Sequence, residues 1–134
     1  MEPAPEFDTI TVGITTSNNY QGHRVIKSTL YKIKEYYKDK NINVQILSFG
    51  RPRVIVDDYI KKYSLEFGFI YSELSQGTLY SITKKPLNNY QKNIIFAEKV
   101  DIVLFFIESE DKIDNYIRNL IAILDKKNKP YKFK

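Results

Sequence analysis

Along this chain, continuous β-branched or aliphatic runs alternate with stripes of apolar residues at helical spacing. Residues 9–15, TITVGIT, form a run that predicts a buried strand, and the TSNN after it is turn chemistry. From about 22 to 39 the period changes: Ile26, Leu30, Ile33 and Tyr37 recur at spacings of four, three and four, on one face of a helix. DKN closes that helix, and INVQILSF, residues 42–49, predicts a second strand. Helical spacing returns over residues 56–67 at Tyr59, Ile60, Tyr63 and Phe67, with Gly68 as its cap. FIYSEL (69–74) then predicts a third strand, residues 75–89 a long connection, and YQKNIIFAEKV (90–100) a third helix. DIVLFFI (101–107) is the most apolar strand; a helix over 111–127 follows, with Ile113, Ile117, Leu120, Ile121 and Leu124 on its inner stripe, and PYKF (130–133) adds a short fifth strand.

Strands alternating with helices, several of them uninterrupted apolar runs, point to a mainly parallel sheet covered on both faces. The expected architecture is an α/β, Rossmann-like three-layer sandwich of about five strands. It forms one domain over residues 9–134, after a flexible arm over 1–8 that carries Pro3 and Pro5. In open sheets of this kind ligands sit beyond the carboxyl ends of the strands, where strand order reverses. That directs attention to TTSNN, GRPR, the segment at Lys92 and Asn93, and ESED.

Composition narrows the chemistry. The 134 residues suit one domain, and 43% hydrophobic content with 14% aromatic residues excludes general disorder. With no Cys and a single His23 there is no thiolate nucleophile, no disulfide and little material for a zinc site, so neither a metal nor a cofactor is expected. No apolar run approaches the roughly 18 residues that span a bilayer, and the acidic start lacks a signal-peptide pattern; the expectation is a cytoplasmic protein without membrane contact. The net charge of +5 favours anionic partners, but the lysines are spread along the whole chain.

The segment YQKNIIFAEKVDIVLFF resembles a signature of the SLOG superfamily, in its YspA-like branch. There Arg-Asn is followed at fixed intervals by Met and by Ala-Asp; here Lys92, Asn93, Phe96, Val100 and Asp101 keep those intervals. GRPRVIVDDYIKKYSLEFGF is similar to that branch's glycine-rich turn and following helix, and VGITTSNN to its Thr-Gly-Ser-Arg loop. Arg51, Pro52 and Val54 stand where the branch has small residues or Gly, Asp57 comes one residue late, and ESED replaces a Gly-Thr. The resemblance, over nearly all of residues 9–134, implies a Rossmann-like fold, binding of a nucleotide or nucleotide derivative, and homo-oligomers. The glycine motif of the phosphoribohydrolase relatives is absent, so no catalytic residue is assigned.

The residues at the strand ends each have two readings. Gly50, Arg51 and Arg53 form either a turn whose phosphate recognition has passed from backbone amides to guanidinium groups, or a solvated connection. Lys92 offers a ligand the charge of the family's Arg; Asn93 faces a ligand or ties loops together. Thr16, Ser17 and Asn18 suit ribose or phosphate and equally suit a plain turn. Asp57, with Asp58, accepts from ligand hydroxyls or complements a helix dipole, and Glu108, with Glu110, is a ligand contact or a solvated carboxylate. His23 reads as a capping residue, and most of the 11 tyrosines as packing. The leading expectation is a non-catalytic nucleotide-binding domain. The alternatives are a degenerate, phage-encoded accessory that binds a protein or nucleic acid, and a nucleotide N-glycosidic-bond hydrolase.

Overall fold

A computed structural model describes residues 8–75, 84–85, 87–108 and 113–134. The chain is an α/β three-layer sandwich of Rossmann-like form. Strands β1 (Asp8–Thr16), β2 (Ile42–Ser48), β3 (Ile70–Glu73), β4 (Ile102–Phe106) and β5 (Tyr131–Phe133) form one sheet in the order β3-β2-β1-β4-β5. Every pairing is parallel, from Asp8 opposite Ile42 to Phe105 opposite Phe133. Asp8, expected in the arm, is therefore already a sheet residue; the remainder of the arm, most of the 75–89 connection and Glu110 lie outside the described residues.

The four helices among the described residues are α1 (His23–Tyr37), α2 (Ile55–Glu66), α3 (Asn89–Lys99) and α4 (Asn115–Lys126). Alternation along each strand sorts them into two layers. Val12, Ile14, Val44, Ile46, Leu104 and Phe106 bury one face against Ile26 and Leu30 of α1 and Val56, Ile60 and Tyr63 of α2. The opposite residues, Leu47, Val103 and Phe105, meet Phe96 and Ala97 of α3 and Ile117, Leu120 and Leu124 of α4. On that second face β1 contributes Gly13, where an added Cβ would lie 2.6 Å from Phe96 Cζ and 2.7 Å from Val100 Cγ1. The missing side chain lets α3 press its phenylalanine onto the central strand.

Helix ends follow local chemistry. After α2, Gly68 takes φ +81° while its N–H reaches Leu65 O and that of Phe69 reaches Ser64 O. This pair of bonds is a Schellman motif, with the glycine one residue past the cap at Phe67. Asn128 (φ +58°) closes α4 in the same way. α3 opens with a reciprocal capping box between Asn88 and Gln91. α4 starts at Asn115, later than its stripe predicts, because Ile113 and Asp114 remain outside the helix. No helix among the described residues is long and apolar enough to cross a membrane.

Candidate ligand site

Strand order places the reversal between β1 and β4, since the chain moves from β1 outward to β3 and then returns to the other side of β1. Beyond the carboxyl ends of these strands lies a cavity of about 190 Å³. The β2–α2 turn supplies Phe49, Gly50, Arg51 and Pro52 to its wall, and Leu74 follows β3. Asn89, Lys92 and Asn93 come from the first turns of α3, and Asn18 and Tyr116 from the β1 loop and α4.

The turn conformation follows from its residues. Gly50 adopts φ +58°, and a Cβ there would meet the Glu73 carboxyl carbon at 2.6 Å. Pro52 and Arg53 are the central pair of a tight turn in which Val54 N–H reaches back to Arg51 O (3.4 Å). Arg53 has φ +64°, the left-handed backbone that a Pro-led type II turn needs at this position and that glycine supplies at less cost. Its side chain points away as an exposed group with no ion pair or hydrogen bond among the described residues, and it is not part of the cavity wall.

Arg51 is the centre of a closed network. Its Nε donates to Asp57 Oδ2 (3.0 Å) and its Nη2 to Asp57 Oδ1 (2.9 Å), a bidentate pair completed by the Arg51 backbone N–H on Oδ2 (2.8 Å). Nη2 also donates to Thr16 Oγ1 (2.7 Å). Nη1 serves the Thr16 carbonyl (3.1 Å), Asn18 Oδ1 (3.0 Å) and the Tyr116 hydroxyl (2.6 Å). The Tyr116 hydroxyl in turn donates to the Thr16 carbonyl. A guanidinium has five N–H groups, and all five have protein acceptors here. Burial pulls the Arg51 pKa down, but hydrogen bonding to Asp57 and the nearby charges outweigh it, leaving the group above its ordinary value. The Tyr116 hydroxyl is held neutral, its pKa raised mainly by burial.

The ten residues singled out by sequence thus fall into distinct places. Asn18, Gly50, Arg51, Lys92 and Asn93 meet at the cavity. Thr16 and Asp57 are buried; the Asp57 carboxylate is taken up by Arg51, while Thr16 Oγ1 accepts from Arg51 and donates to Ser17 O (3.0 Å). Ser17 is held at the end of β1 by its N–H on Phe106 O (3.1 Å). Glu108 is exposed and, like Arg53, not in the wall; its charge is felt by Tyr20. Asn93, 2% exposed, donates both amide hydrogens to α4, at Tyr116 O and Asn119 Oδ1 (2.9 Å each), so it clamps two helices while bordering the cavity. Lys92 is half-buried, and its ammonium has no partner among the described residues.

Sequence reasoning missed Tyr116, whose hydroxyl reaches Arg51 across 65 positions. Its position beside Ile117 on the α4 stripe is the one local signal, and that signal also fits packing. Phe49 was missed because it continues the β2 run; it lies one residue past the strand and stacks on Phe96 (4.4 Å between centroids).

Chemically, the cavity joins an ammonium unpaired among the described residues, side-chain amides and an apolar wall of Phe49, Pro52 and Leu74. Among its described wall residues there is no carboxylate and no histidine. Such a site attracts an anion and has little with which to move a proton. Compared with family models, with curated proteins and with solved structures, the chain gives no match.

Proposed function

We propose that this chain is a nucleotide- or nucleotide-derivative-binding domain of SLOG type that holds its ligand without transforming it. The observation that carries the reading is the Lys92 ammonium, unpaired among the described residues, on a cavity at the carboxyl ends of a parallel sheet, where strand order reverses. The Arg51 pair with Asp57 is electrically balanced, so Lys92 supplies the local positive charge and takes the phosphate. Asn18 and Asn89 offer amides to the sugar. The cavity is smaller than the roughly 300–1,000 Å³ of drug-sized sites. It therefore takes the anionic end of the ligand and leaves the remainder at its mouth. The lack of a carboxylate or histidine in the described wall favours binding over N-glycosidic hydrolysis.

A thermal-shift screen against mononucleotides, dinucleotides and cyclic nucleotides tests this. A ligand at a hundredfold excess over its Kd stabilises the native state by about 2.7 kcal/mol. Lys92→Ala removes at least about tenfold in affinity for the best of them, a charged hydrogen bond being worth about 1.5–3 kcal/mol. If no nucleotide raises the melting temperature, or if Lys92→Ala binds as the parent does, the proposal fails.

A further inference from the structure

The sheet is covered unequally. On the face that holds α1 and α2, those helices pack on β1, β2 and β3 and reach as far as Leu104 and Phe106 of β4, while Lys132 of β5, opposite Leu104, is exposed. All-parallel sheets ordinarily bury both faces. Here a groove of about 870 Å³ runs between α1 and β5. Its floor is the partly exposed Ile10 of β1 and Ile102 of β4, with the buried Val12 and Leu104 between them, and its wall is a second stripe of α1 that includes Val25 (45% exposed) and Tyr36 (63% exposed). From β1 to β5 there are two strand spacings, about 10 Å in all. One α-helix with its side chains is about as wide.

The rim specifies the charge of the occupant. Arg24 and Lys32 stand on the α1 side, Lys132 and Lys134 on the β5 side, and none of these four side chains has a hydrogen bond or ion pair among the described residues. The one carboxylate among the described lining residues, Asp101, already accepts the Thr11 N–H (2.7 Å). A second copy of this chain, itself at +5, would bring the same cations to the same rim. A nucleic acid would satisfy the rim and leave Val25 and the partly exposed Ile10 and Ile102 in water. We infer that this groove docks an acidic amphipathic helix of a partner protein, its apolar stripe on Ile10, Ile102, Val25 and Tyr36 and its carboxylates between the two basic rims.

The probe is a fluorescent, end-capped synthetic helix of about 15 residues, with leucine at i, i+3, i+4 and i+7 and glutamate on the other face. Its counterpart carries lysine in place of glutamate. The acidic probe should bind saturably, at least about tenfold tighter than the lysine one, and shift amide resonances at Val25, Ile102 and Leu104 but not at Lys92. Lys132→Glu with Lys134→Glu should cost at least about tenfold, and Val25→Ser should weaken binding without altering the fold, all three being exposed. Absent saturation, equal affinity for the two probes, or unchanged binding by the double variant overturns the inference. So does self-association through this face in sedimentation, or displacement of the probe by a single-stranded oligonucleotide, because each names a different occupant.

Discussion

Replacing Arg51 with alanine distinguishes a guanidinium that holds the fold from one reserved for a ligand. The substitution leaves the Asp57 carboxylate, 4% exposed, without its cation, and takes donors from Thr16 Oγ1 and Asn18 Oδ1. The Arg51 side chain is itself only 18% exposed, so solvent screening reduces the effect little. Removing one partner of a buried ion pair costs about 3–5 kcal/mol, a large share of the roughly 5–15 kcal/mol that keeps a domain folded. For a chain of this size the melting temperature should fall by roughly 10–20 °C. Urea denaturation of Arg51→Ala, Asp57→Leu and the double variant gives the coupling directly. The double variant should be less destabilised than the sum of the singles by at least about 1.5 kcal/mol, since it buries no lone charge. A loss below about 1 kcal/mol for Arg51→Ala, with no coupling, would refute the reasoning, because it would mean that the guanidinium exchanges its bonds freely with water.

Three further outcomes follow from the packing. Gly13→Ala places a methyl at 2.6 Å from the Phe96 ring and should cost about 1–3 kcal/mol by overpacking; a neutral result in urea would show that α3 can lift from β1 without loss. Asn93→Ala removes both amide bonds that join α3 to α4 and should cost about 1–3 kcal/mol, with faster hydrogen exchange at the start of α4; an unchanged exchange pattern would exclude the clamp. Burial raises the pKa of Tyr20, Tyr71 and Tyr116 above the ordinary 10.0, so the folded state keeps protons that the unfolded state releases. Their contribution is therefore fully present below pH 10.0 and is lost as pH rises through the folded values. The urea midpoint should drop on crossing that range, less steeply in Tyr116→Phe, and a flat profile would contradict it.

The fold was legible because its signals are local and repeated. A β-branched run such as TITVGIT and a stripe such as Ile26, Leu30, Ile33 and Tyr37 each state their own structure, and their alternation leaves few ways to arrange a parallel sheet. What escaped were features set by a neighbour. Gly13 is read in sequence only as part of the TITVGIT run, yet it is the seat of Phe96, on a helix over 80 positions away. The start of α4 escaped for a similar reason: Ile113 continues the helical stripe, but it packs on the core from outside the helix.

The GRPR turn shows how far this limit reaches into the site. By type and place, Arg51 and Arg53 are equivalent candidates for an anion, two residues apart on a turn at the right end of the sheet. The difference between them is made by what the chain brings to each. Arg51 meets Asp57 from the next helical turn, Thr16 from β1 and Tyr116 from α4, and is saturated; Arg53, turned outward by its left-handed backbone, meets nothing among the described residues. Asp57 has the complementary history: read in sequence as a ligand contact or a helix-dipole partner, it is here the buried counter-ion that keeps the turn closed. With the two arginines so placed, the charge left at the cavity comes from α3. A backbone rich in glycine could have bound a phosphate at this turn directly. Instead a buried ion pair closes the turn, and the cation that borders the cavity outside that pair is Lys92 on the facing helix.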